Sequence, residues 1–70
     1  MMSEIIFKVQ ESEEGGFCAR AMGHSILSEG DDWDELRKMV KDAVACHFVG
    51  RPERPHTIRL RFVRDEVIAA

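Results

Sequence analysis

Seventy residues suffice for one domain, and a domain this small buries only roughly 60 to 65% of the surface its unfolded chain exposes, so a second copy or a partner is expected to add stability. A hydrophobic fraction of 44% beside 33% charged residues argues against disorder, and no apolar run approaches the roughly 18 residues of a membrane span. Met1 to Gln10 mixes acidic, apolar and basic residues without a cationic start and an apolar run, so no signal peptide is expected; the chain reads as cytoplasmic, with Cys18 and Cys46 as reduced, packing thiols.

Taken in order, the first element is a half-buried strand over residues 4–10, where Ile5, Phe7 and Val9 alternate with Glu4, Lys8 and Gln10 and only Ile6 breaks the polar side. Glu13-Glu14-Gly15-Gly16 is a hairpin turn, because paired glycines supply positive φ without a Cβ penalty. A second strand over 16–22 puts Phe17, Ala19 and Ala21 on one face and Cys18, Arg20 and Met22 on the other. Gly23-His24 is a further turn, and residues 25–29 form a short edge strand. Asp32 is the expected N-cap of a helix over 33–48, with Glu35 three residues on in capping-box position. Trp33, Leu36, Val40, Ala43, Val44 and then His47 or Phe48 carry its apolar stripe. Gly50, Pro52 and Pro55 stop the helix and stiffen a polar connector. The last strand, 57–63, alternates Ile58, Leu60 and Phe62 against Arg59 and Arg61, and Val67-Ile68 reads as a short terminal strand or a docking tail.

These elements make a single α+β domain over residues 1–70, β-β-β-α-β in order. The helix returns the chain to its starting end, so the fourth strand runs parallel to the first, and the right-handed crossover rule places it beside that strand. The expected mixed four-stranded sheet has the order 3-2-1-4, with the helix on one face only. Ile5, Phe7, Val9, Phe17, Ala19, Ile58, Leu60 and Phe62 should lie under Leu36, Val40 and Val44. The bare face, with Ile6, Arg20, Met22, Arg59, Arg61 and Val63, is the expected interface of a homo-oligomer.

The strand Ile5-Ile6-Phe7-Lys8-Val9, the turn Glu14-Gly15-Gly16-Phe17 and the helix entry Gly30-Asp31-Asp32-Trp33-Asp34-Glu35-Leu36 together resemble the HicB-like antitoxin domain. The resemblance covers about Ser3 to Val63. It implies a truncated ribonuclease-H-like fold without nuclease activity, and a non-catalytic partner that sequesters a small basic ribonuclease toxin, HicA. The sequence departs from the family pattern in three ways. Met22-Gly23-His24-Ser25 replaces a longer proline-containing loop, Trp33 stands where an aliphatic residue is common, and no C-terminal DNA-binding appendix is expected.

Charge distribution adds an independent handle. Residues 1–35 carry a formal charge of −7 and residues 36–70 carry +4, which together give the net −3. Glu11, Glu13, Glu14, Asp31, Asp32 and Asp34 are the candidate partner-binding residues, since an acidic surface speeds encounter with a basic protein. Arg59 and Arg61, with Arg20 and Lys8 beside them, are the alternative, a phosphate-contacting patch for nucleic acid; a pI near 5.5, no tyrosine and no second aromatic among these arginines weigh against it, and an orphan oligomeric protein without a toxin partner is the other alternative. No metal or cofactor is expected: His24, His47, His56, Cys18 and Cys46 lack ligand spacing, and adjacent Cys46 and His47 diverge by about 100° on a helix. Cys18 and His24 lack an orienting third group, so no catalytic residue is assigned and the chain is not read as an enzyme.

Overall fold

The computed structural model describes residues 3–64 and 66–70. Strands β1 (Glu4–Glu11), β2 (Phe17–Ala21) and β3 (Leu27–Gly30) precede helix α1 (Trp33–His47), and β4 (Thr57–Phe62) follows it. The sheet order is β3-β2-β1-β4, antiparallel except for the parallel β1–β4 pair, as the crossover rule requires.

Register converts the sequence alternation into two faces. Phe7 stands opposite Ala21 on one side and Leu60 on the other, and Val9 lies between Ala19 and Phe62. These positions face α1, whose Leu36, Val40 and Val44 seal them. Phe7, Val9, Leu36 and Val40 are the largest fully buried side chains, each worth roughly 1.5 to 3 kcal/mol on burial.

Turn chemistry sets the ends of the elements. Ser12 N–H donates to Gly16 C=O at 3.0 Å, with Gly15 and Gly16 at φ +96° and +80°. Asp32 caps α1: its Oδ1 accepts the Glu35 N–H at 2.7 Å. Gly30 has no room for a side chain, because a Cβ there would meet the Leu36 backbone nitrogen at 2.5 Å. A Cβ on Gly16 would likewise lie 2.5 Å from the Gly30 carbonyl oxygen. The first turn, the end of β3 and the helix entry therefore meet backbone to backbone.

Several expectations need correction. The turn after β2 is wider than Gly23-His24 alone: Ala21 N–H reaches Ile26 C=O at 3.0 Å, so β3 starts at Leu27, while Ile26 enters the core just ahead of it. The helix lies over β3 and β2 and leaves β4 at the rim. Ile58 and Leu60 are consequently half-buried and Phe62 is 41% exposed. Phe62, Phe17 and Trp33 meet edge-on, with centroids 5.5 to 6.0 Å apart, and close that side of the core as an aromatic trio at the surface. Phe48, one residue past the helix, fills the last core position, and His47 is half-buried. Cys46 is exposed rather than packed, and Val67 and Ile68 form no strand and are exposed.

Candidate functional site

The close approach of Gly16 to Gly30 and Asp31 folds the first turn onto the helix entry, and a depression of about 790 Å³ opens between them along the free side of β3. Glu14, Glu29, Asp31, Glu35 and Asp42 line it, and among the described residues no lysine, arginine or histidine does. Of the six acidic residues read from the sequence, Glu14 and Asp31 thus share one site. Glu11 and Glu13 lie beside a separate hollow that includes Arg64. Asp32 is engaged as the helix cap, and Asp34 sits on the outer flank of α1, 3.8 Å from Arg37 in a well-solvated ion pair. Such a pair adds little to stability.

Glu29, Glu35 and Asp42 join the site without being expected there from the sequence. Glu35, whose N–H donates to Asp32 at the cap, also lines the depression. A usable signal existed in the spacing of Glu35, Met39 and Asp42, which at i, i+4 and i+7 occupy one helix stripe.

Of the six residues expected at an oligomer interface, Ile6, Arg20, Arg59 and Arg61 occupy strand positions on the sheet face opposite α1, and Met22 and Val63 lie just past the ends of β2 and β4. Within that face Lys8 stands directly between Arg20 on β2 and Arg61 on β4. Three cations in one row across adjacent strands repel, at a cost of some tenths of a kcal/mol for each neighbouring pair. Among the described residues Arg59 is ion-paired with Glu4, whereas Lys8, Arg20 and Arg61 have no carboxylate partner. Ile6 and Val63, half-buried, and Met22 and Leu27, exposed, flank the row.

Over 67 residues the chain is 48% identical to a UPF0150 protein of Thermotoga maritima, an alignment spanning 94% of this chain and 91% of that relative. The chain belongs to the UPF0150 family. A UPF0150 protein of Archaeoglobus fulgidus is 51% identical over 51 residues, covering 73% of this chain and 74% of its own length. No family model matches the chain, and no solved structure matches it.

In this UPF0150 chain the potential ligand residues are dispersed. Among the described residues no group of three or more His, Cys, Asp or Glu side chains is placed to hold a metal ion. The His24 ring lies edge-on to His47 and Phe48, at 5.9 and 5.3 Å, as aromatic packing at the helix end. Cys18 faces Gln10 and Glu29 on the open side of the sheet. No described helix is long and apolar enough to cross a membrane.

Proposed function

We propose that this UPF0150 chain is a non-catalytic protein-interaction module of the HicB antitoxin kind, which takes a small basic ribonuclease toxin at its acidic end. The observation that carries the reading is the depression beside β3, lined among the described residues by five acidic residues and no basic one. Carboxylates in one concave surface focus their field outward, which raises the on-rate for a basic partner and selects against acidic ones. Covering a ribonuclease's cationic, RNA-contacting surface inhibits it by occlusion, with no chemistry asked of the antitoxin. The test is an RNA-cleavage assay with a small basic ribonuclease encoded beside this chain. Stoichiometric inhibition is expected, weakened at least tenfold by Glu14→Lys with Asp31→Lys. An unchanged inhibition constant in that double variant sinks the reading.

A second reading is favoured by the Lys8, Arg20 and Arg61 row, whose alignment suits phosphates. Among the described residues the face has no aromatic side chain for base stacking, so contact would be to the backbone of a nucleic acid. Titration with duplex RNA and DNA at low salt decides it, since binding without a salt slope removes this role. Self-association on the same face would use Ile6, Met22 and Val63. The facing cations then oppose it, and such a dimer tightens as salt rises.

A further inference from the structure

We infer that the free edge of β3 and the carboxylate-lined depression beside it form one groove that takes an extended, basic segment of a partner protein as a fifth strand. This rests on the reading that the acidic end is the docking end, and adds how the partner is held.

The backbone sets the phase. Ala21 N–H donates to Ile26 C=O, and bonded pairs alternate along an antiparallel ladder, so Ala19–Ser28 and Phe17–Gly30 also carry the bonds to β2. The N–H and C=O groups of Leu27 and Glu29 therefore point away from the sheet, toward the side where the depression lies. An added strand bonds to these two residues, and its side chains alternate between the open sheet face and the flank of α1. Those on the helix side meet Glu35, Met39 and Asp42; those on the other side meet Leu27 and Glu29. Lysine or arginine at alternate positions falls on one face and meets Glu35 and Asp42, and apolar residues between them cover Leu27.

Ser28 gives a second, independent pointer. It is 7% exposed, it is the buried polar side chain among the described residues, and it lines this depression. Its hydroxyl makes no side-chain hydrogen bond among the described residues, yet no buried side-chain oxygen is sealed off without a partner. Ser28 thus lines the groove with a hydroxyl that none of these bonds engages, and an incoming group can bond to it. Charge selects the occupant. A second copy pairing β3 with β3 sets Glu29 and Asp42 against their own kind, whereas a cationic strand meets only carboxylates.

The test uses the whole chain, labelled with nitrogen-15, and a nine-residue peptide alternating lysine with valine. Two N-methylated versions carry the methyl groups on odd or on even residues. Amide exchange at Leu27 and Glu29 should slow at least tenfold on binding, and one methylated version should lose affinity while the other keeps it. Glu35→Lys with Asp42→Lys, both at solvent-exposed positions, should weaken binding at least tenfold. Equal binding of the two methylated peptides, or unprotected Leu27 and Glu29 amides, overturns the inference. So does protection of those amides without peptide that vanishes in Arg59→Glu with Arg61→Glu, because the groove would then hold the β4 edge of a second copy. Retained ribonuclease inhibition with no strand addition removes this inference and leaves the antitoxin reading intact. Strand addition without inhibition supports the groove and removes that reading.

Discussion

Replacing Gly15 and Gly16 by alanine separates two physical effects that share one turn. Both residues have positive φ, where an L side chain costs about 1 to 2 kcal/mol. A Cβ on Gly15 meets nothing within 4 Å, so Gly15→Ala should cost only that strain. A Cβ on Gly16 meets the Gly30 carbonyl oxygen at 2.5 Å and the Asp31 Cα at 3.1 Å, and both are backbone atoms that cannot rotate away. Overpacking of this kind adds about 1 to 3 kcal/mol, for a total of about 2 to 5 kcal/mol. Total stability at this length is of order 4 to 10 kcal/mol, so Gly16→Ala removes a large part of it. Urea denaturation followed by Trp33 fluorescence gives both values, and a difference of 1 kcal/mol corresponds to about 4 to 8 °C in melting temperature. The same displacement separates Glu14 from Asp31, so binding at the acidic end should weaken in Gly16→Ala and stay near wild type in Gly15→Ala. Equal stabilities for the two variants would refute the backbone contact between turn and helix entry.

Asp32→Ala removes the side chain that accepts the Glu35 N–H and should cost about 1 kcal/mol, read from the urea midpoint; no change would mean the cap is dispensable. Phe7→Ala empties a fully buried position in the central strand and should cost about 3 to 5 kcal/mol, leaving much of the chain unfolded at 25 °C by circular dichroism. Lys8→Glu places an anion between Arg20 and Arg61 and should stabilise the fold by a few tenths of a kcal/mol to about 1 kcal/mol. That gain should shrink in 1 M salt, and a salt-independent change would point to packing instead.

Alternation in residues 4–10 and 57–63, the paired glycines and the Asp32 cap are local signals, and each led to the element that forms. Topology followed because a parallel return strand has one preferred hand. What stayed illegible depends on where the helix lies across the sheet. A stripe on α1 says which side is buried, not which strands it covers, so Trp33 and Phe62 read as core although β4 stands at the rim. The stripe leaves His47 and Phe48 as alternatives, and Phe48, one residue past the helix, takes the last core position; Ile26, expected within the edge strand, is buried just ahead of β3. The acidic depression was half visible. Glu14 and Asp31 cluster in the sequence near a turn and a cap, but Glu29, Glu35 and Asp42 join them only once β3 runs along the flank of α1.

The parallel pairing of β1 with β4 also has a temporal side. Glu4 and its neighbour Thr57 are 53 residues apart, so at usual translation speeds the first strand made waits roughly 3 to 10 s for the last. Through that interval one border of a strand carrying Ile5, Phe7 and Val9 has no mate on that side, a template for misjoining between nascent chains. Glu4 and Lys8, spaced along the same strand, are charges of the kind that oppose such pairing.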